Sequence, residues 1–193
     1  PSSHPVWRDA EAALKCTKRL VALAEETGAR IHVLHISTAE EMPFLAGHKR
    51  HATVEVTPHH LTLCADDYER LGTYIQMNPP VRDAAHRAGI WWGVDHGIAD
   101  VIGSDHAPHT RDEKDKPYPQ SPAGMPGVQT LEPVMLNHVA AGRLSLARFG
   151  DMTSHGPQRL VGLGGKGRIA RGHGADFTTG AMKCRQDEPA EWN

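Results

Sequence analysis

Asp100-Val101-Ile102-Gly103-Ser104-Asp105-His106-Ala107-Pro108-His109 is a short apolar run that leads into a cluster of ionisable side chains. The β-branched Val101 and Ile102 give residues 100–104 the character of a buried strand, and Pro108 argues against a helix directly after it. Two earlier stretches share this form. Ile31-His32-Val33-Leu34-His35-Ile36 reads as a buried strand with His35 near its end, followed by Ser37 and Thr38. Ala52-Thr53-Val54-Glu55-Val56-Thr57 reads as another, closed by Pro58 and followed by His59 and His60.

Helical patterns lie around these strands. Residues 8–27 carry Ala10, Ala13, Leu14, Thr17, Val21 and Ala24 at spacings of three and four, one buried helical face, with Gly28 as the stop. Ser37 with Glu40, and Thr38 with Glu41, match the capping-box pattern, so a helix is expected directly after the first strand. Residues 66–71 read as a short helix ended by Gly72, and Asn78-Pro79-Pro80 as a rigid loop. Ala84, Ala88, Trp91 and Trp92 mark a helix that ends near Gly97, with both tryptophans in its core face. A Pro-, Gly- and charge-rich loop then runs to Gly127. Helical patterning returns at 130–141, around Leu146 and around Leu160, and Arg168-Ile169-Ala170 is a last strand candidate. Strands alternating with helices imply an α/β fold with a parallel sheet. Such folds build their sites at the carboxyl ends of strands, where His35, the segment 57–60 and the segment 105–109 lie. Three strands cannot close a barrel by themselves.

Composition narrows the function classes. The 193 residues hold 21 Lys plus Arg and 23 Asp plus Glu, a net charge of −2. With a pI near 6.8, there is no electrostatic case for a nucleic acid or an anionic membrane as main partner. No apolar run approaches the ~20 residues that span a bilayer. Pro1-Ser2-Ser3-His4-Pro5 does not read as a signal peptide, and three scattered cysteines (Cys16, Cys64, Cys184) do not make a disulfide framework. A reducing, cytoplasmic location is the expectation. The missing initiator Met and the loop-like start make a fragment or processed piece the expectation for the chain. Histidine is abundant at 14 residues, and it is the commonest metal ligand.

If the first and third strands share one parallel sheet, the His35 imidazole and the Asp105 carboxylate converge on one rim. Zinc accepts that ligand mix, and catalytic zinc sites keep a position open for water. The plain alternatives are a satisfied core histidine and an N-capping or turn aspartate. His32 and His35 would point to opposite faces of a strand, and Pro108 removes the helix that would pair His106 with His109. His59 and His60 could line the same rim or be solvent-exposed loop histidines. Asn78 is either a rigidly placed amide for a ligand or a turn residue. Glu55 lies inside an apolar strand and needs a partner there. No Gly-rich phosphate loop, Ser-centred nucleophile elbow or zinc-finger Cys pair is present.

Four segments occur in a telling order: His32-Val33-Leu34-His35-Ile36-Ser37-Thr38, Glu55-Val56-Thr57-Pro58-His59-His60-Leu61, Met77-Asn78-Pro79-Pro80-Val81-Arg82 and Ser104-Asp105-His106-Ala107-Pro108-His109, with Glu113-Lys114 after them. The series resembles the dihydroorotases of the amidohydrolase superfamily, the barrel type related to allantoinases and hydantoinases, over about residues 4–177. The resemblance implies the C-terminal part, about strands 6–8, of a TIM-type (β/α)8 metal-dependent hydrolase barrel over residues 1–163. Residues 164–193 would be a remnant of the small β-domain and an irregular tail. It implies a binuclear zinc centre whose ligands here are His35, at the end of the sixth strand, and Asp105, at the end of the eighth. Asp105 would also shuttle the proton. Asn78 and His109 would contact the substrate, as would Ala123 and Gly124 through their backbone; Glu55 aligns with a glutamate near the metals in some relatives. The implied reaction is the reversible hydrolysis of (S)-dihydroorotate to N-carbamoyl-L-aspartate in de novo pyrimidine biosynthesis. The last histidine of His106-Ala107-Pro108-His109 suits an anionic carboxylate, where allantoinase-like and hydantoinase-like chains tend to carry Cys or Phe.

The departures from that pattern matter as well. The family's first-strand His-x-His pair, its bridging carboxylated lysine or aspartate and its fifth-strand histidine have no counterpart, and would lie upstream of Pro1. Gly174 and the segment 178–193 depart from the usual continuation. Alternatives are an allantoinase- or hydantoinase-type cyclic amidohydrolase, and a non-catalytic dihydroorotase-like subunit that scaffolds aspartate transcarbamoylase. A homodimer or a transcarbamoylase complex is the expected assembly. The 193-residue chain alone is expected to be inactive, with two raw sheet edges.

Overall fold

The computed structural model of the protein describes residues 1–180. Most of the tail singled out from the sequence, and Cys184, lie outside them. Three strands, β1 (Ile31–Val33), β2 (Ala52–Val56) and β3 (Val101–Ile102), form a parallel sheet in the order β1-β2-β3. Ile31 pairs with Ala52 and Val33 with Val54; Glu55 pairs with Val101 and Val56 with Ile102. The fold is α/β with a parallel sheet, as the alternating pattern implies.

Ten helices surround the sheet among the described residues: α1 (His4–Trp7), α2 (Ala10–Thr27), α3 (Glu41–Ala46), α4 (Pro58–Thr62), α5 (Asp67–Leu71), α6 (Ala84–Asp95), α7 (Arg111–Lys114), α8 (Leu131–Ala140), α9 (Leu146–Gly150) and α10 (Gly156–Val161). A 3-10 turn (Gly72–Ile75) and a π-helical turn (Asp151–His155) complete them. The α2 boundaries follow from its ends. Asp9 accepts a hydrogen bond from the Ala12 amide, and Gly28 terminates the helix with φ +69°, the left-handed conformation glycine adopts without strain. Its buried residues Thr17, Val21 and Ala24 keep the expected spacing.

The core sits on β2. Val54 and Val56 are fully enclosed by Ile36, Met42, Leu45, Leu61, Ile90 and neighbours. A smaller cluster of Tyr68, Ile75, Met77 and Val81 packs beside it. Arg82 straps the first residues down. Its buried guanidinium donates to the carbonyls of Arg8 and Asp9 and to Ser37 Oγ. His4 Nε2 donates to Met77 O at 3.0 Å and to Asn78 Oδ1 at 3.1 Å.

Several expectations need correction. The cap before α3 is built by Thr38, whose hydroxyl accepts from the Glu41 amide and donates to the Glu41 carboxylate, while Ser37 serves Arg82. Trp91 is buried and donates to Leu61 O, but Trp92 is 41% exposed, because adjacent helical residues sit about 100° apart and only one can face the core. No strand forms at 168–170; Ile169 is exposed and has no pairing partner among the described residues. His59 and His60 are not exposed loop residues. Thr57 caps α4, Pro58 opens it, and the turn folds both imidazoles inward.

His60 is satisfied on both sides. Its Nε2 donates to Pro79 O at 3.0 Å, and its Nδ1 accepts from the Thr57 hydroxyl at 2.8 Å. Burial pushes its pKa down to about 3. A histidine depressed in the folded state binds its proton only when the chain unfolds, so its contribution is lost as pH falls from its ordinary value toward 3. Urea unfolding between pH 7 and pH 4.5 should show this loss, with His60 alone contributing about 1.4 kcal/mol per pH unit below about 6.5. His60→Gln should lose most of that slope.

Candidate active site

The strands deliver their polar residues to one rim. β2 carries the Glu55 carboxylate, β1 leads into His35, and β3 leads through Gly103 and Ser104 into Asp105. His35 (φ +54°) and Asp105 (φ +43°) are the two non-glycine residues with positive φ among the described residues. Left-handed backbone is uncommon for any residue with a Cβ, less so for Asp and His than for most, and such residues cluster at functional sites.

This conformation also corrects the expectation that His32 and His35 face apart. β1 ends at Val33, so strand alternation does not extend to His35. Both imidazoles turn to Glu55: His32 Nε2 lies 3.6 Å from Oε2 and His35 Nδ1 lies 2.6 Å from Oε1. The His35 approach is off the N–H axis, so that neither atom completes a regular hydrogen bond despite the short separation. The Glu55 carboxylate nevertheless raises the pKa of His35, against the opposing effect of burial, with Asp105 adding to the rise. Room for Glu55 comes from Gly103, where a Cβ would meet the Glu55 carboxyl group at 2.3–2.5 Å.

On its other side His35 Nε2 faces Asp105 Oδ1 at 3.3 Å. At this separation an unprotonated Nε2 would oppose a lone pair to a carboxylate oxygen, so the contact calls for a proton or a cation between the two atoms. Two ligands bound tetrahedrally to one zinc stand about 3.4 Å apart. The spacing is that of an imidazolium–carboxylate ion pair and equally that of two ligands, one imidazole nitrogen and one carboxylate, on a single divalent cation. Among the described residues no group of three or more His, Cys, Asp or Glu is arranged to hold a metal ion.

Of the residues read as substrate contacts, His109 and Gly124 come together on the cavity beside the rim, while Asn78 does not reach the pair. His109 and Gly124 touch: a Cβ on Gly124 would sit 2.9 Å from His109 Nε2 and 2.5 Å from Ala107 O. His109 Nδ1 lies 3.7 Å from Glu113 Oε2. The Gly124 amide donates to Gln76 O at 2.8 Å, and the neighbouring Ala123 amide has no hydrogen-bond partner among the described residues. Asn78 is exposed, and its side-chain oxygen is turned to His4 rather than to His35 or Asp105. His59 Nε2 donates to Pro126 O, and His106 Nδ1 accepts from the amides of Gly127 and Val128, so both histidines hold the 125–128 segment. Burial lowers the pKa of His59. A cavity of about 500 Å³ adjoins the rim, lined by His59, His109, Lys114, Gly124 and Met125 among others; it opens on the His109 side and not on His35 or Asp105. His4, Gly103 and Lys114 had no assigned role in the sequence. A glycine next to a strand facing a buried glutamate was the one signal that could have found Gly103.

No protein-family model matches the chain. It is 42% identical over 171 residues to the dihydroorotase of Halobacterium salinarum, covering 89% of this chain and 40% of that protein. It is 34% identical over 192 residues to the dihydroorotase of Methanothermobacter thermautotrophicus, covering 97% of this chain and 44% of that protein. Among solved structures, L-hydantoinase (dihydropyrimidinase) from Arthrobacter aurescens superposes with a TM-score of 0.80 at 32% identity, over 84% of this chain and 38% of that one. Dihydropyrimidinase from Brevibacillus agri gives 0.84 at 27% identity, over 91% and 41%. The chain is thus a homologue of the cyclic amidohydrolases. Within that class its curated homologues by sequence are dihydroorotases, and it spans about two fifths of their length.

The Gly103–Glu55 contact gives a direct test. Gly103→Ala should destabilise the protein by about 1–3 kcal/mol, because the added methyl displaces a buried carboxylate. In Gly103→Ala/Glu55→Ala the clash is gone, so urea unfolding should show the two changes coupled by about 1 kcal/mol or more. Strict additivity would mean that Gly103 does not make room for Glu55.

Proposed function

We propose that this chain is the site-bearing C-terminal part of a dihydroorotase, carrying about strands 6–8 of a (β/α)8 barrel, and that the reaction is the reversible hydrolysis of (S)-dihydroorotate to N-carbamoyl-L-aspartate. On this reading residues 1–163 form the barrel part. Residues 164–193 lead toward a small β-domain, of which the described portion, 164–180, contains no strand. The observation that carries the proposal is the meeting of His35 and Asp105, both held in left-handed backbone at the ends of parallel strands, in a chain whose homologues are dihydroorotases.

His35 and Asp105 are the residues that would hold zinc, with further ligands for a binuclear centre supplied by chain outside these 193 residues. When bound, the metal would acidify the attacking water and polarise the ring carbonyl. The work of this chain's own groups follows from their placement. An Asp105 carboxylate oxygen takes a proton from the attacking water and returns it to the ring nitrogen as the amide C–N bond breaks, general base and then general acid. Glu55 fixes the orientation of the His35 ring, as carboxylates behind ligating histidines do. His109 donates to the substrate carboxylate, the free Ala123 amide and Gly124 border the ring, and Asn78 offers its amide once released from His4. A cytoplasmic enzyme of pyrimidine biosynthesis, as a homodimer or with aspartate transcarbamoylase, is the setting this reading entails.

The test is an assay of the complete polypeptide with dihydroorotate, hydantoin and allantoin, in parallel with Asp105→Ala and His109→Ala. Turnover of dihydroorotate is expected, and its loss by about 10²–10⁴-fold or more in Asp105→Ala. His109→Ala should raise KM for dihydroorotate about tenfold with little change in kcat. Preference for hydantoin or allantoin would favour the sister activity, whose solved structures this chain also resembles. Absence of any turnover with metal supplied would favour a scaffolding role.

A further inference from the structure

Lys114 is nearly fully buried, at 4% exposure, and none of its hydrogen bonds reaches a carboxylate. Its ammonium donates to three backbone carbonyls: Gln76 at 3.1 Å, Pro122 at 3.0 Å and Gly124 at 3.0 Å. An ammonium has three N–H groups and no acceptor, so these bonds satisfy it completely. Three carbonyl oxygens aimed at one point repel each other unless a cation sits among them, so the arrangement of these peptides depends on that charge. Burial lowers the lysine pKa to about 8, which leaves the group mostly protonated at neutral pH.

The three carbonyls belong to segments that matter elsewhere. Gln76 O also accepts the Gly124 amide, and Gln76 Nε2 donates to Ser121 O. Gly124 is therefore held at both ends, its N–H by Gln76 and its C=O by Lys114, while its Cα packs on His109 and Ala107. Lys114 sits at the end of α7, whose first turn is fixed by a capping box between Thr110 and Glu113 just after His109. The ammonium thus links the helix that follows His109 to the loop that carries Ala123 and Gly124.

We propose that Lys114 is a positioning residue for substrate recognition: by gathering the carbonyls of Gln76, Pro122 and Gly124 it holds the Ala123–Gly124 peptide against His109, forming the cradle for an anionic cyclic amide. This rests on the reading of His109, Ala123 and Gly124 as substrate contacts. The lysine touches no reacting atom.

The experiment uses the complete polypeptide with Lys114→Ala and Lys114→Met. KM for dihydroorotate should rise about tenfold in both, with kcat within about threefold. Hydrogen exchange should accelerate at the hydrogen-bonded amides within 121–125, those of Ser121 and Gly124, and at Gln76, while the strands keep their protection. Propylammonium replaces the deleted atoms of Lys114→Ala and should restore both KM and loop protection; propan-1-ol, of similar size and uncharged, should not. Equal rescue by the alcohol, unchanged exchange at 121–125, or exchange quickened evenly throughout the chain would each overturn the proposal. In the unsubstituted protein, the Lys114 ammonium should exchange with solvent far more slowly than surface lysines; exchange at the surface rate overturns it even if both variants fail to fold. Failure of the functional reading is separately visible, as an unsubstituted enzyme that does not turn over dihydroorotate while the exchange measurements still report on the lysine.

Discussion

Glu55 brings a carboxylate into the central strand of a parallel sheet, at a place where a charge is tolerated only if it is answered. Two imidazoles answer it, His32 from the middle of β1 and His35 from two residues beyond its end. This demand shapes the neighbourhood. Gly103 has no side chain because the carboxyl group occupies that volume, and His35 leaves the strand conformation to reach it. With its Nδ1 edge against Glu55, the ring presents Nε2 to Asp105. A buried charge in β2 therefore determines where the rim presents its nitrogen.

Much of this was legible in the sequence. The three strands stood out as β-branched runs ending in polar clusters, and α2 could be read from its stripe and its glycine stop. The need of Glu55 for a partner followed from a charged residue between Val54 and Val56. The convergence of His35 and Asp105 followed from the inference that their strands share a parallel sheet.

Other features were hidden for identifiable physical reasons. Period-two alternation applies to a strand and says nothing of a residue that has turned left-handed, so His32 and His35 were assigned to opposite faces. His59 and His60 look like loop residues by composition; their burial depends on carbonyls of Pro126 and Pro79, far away in sequence. Lys114 stands in the sequence only as half of the Glu113-Lys114 pair that closes the family-like series; its role stays hidden because its partners lie 8 to 38 positions away and are all backbone atoms, which leave no residue-specific trace. Trp92 and Ile169 show the opposite error, apolar residues assigned to structure that no neighbouring element covers.

The Arg82 strap bears on where this folding unit can be divided. Residues 1–9 contribute no strand and little apolar packing, and domain trimming guided by secondary structure would discard them. Their carbonyls at Arg8 and Asp9 are nonetheless acceptors for an interior guanidinium, and His4 supplies the donor for Met77 O. A cut before Ala10 would remove two of the three acceptors of an interior guanidinium, leaving Ser37 Oγ alone, so residues 1–9 belong to the folded body.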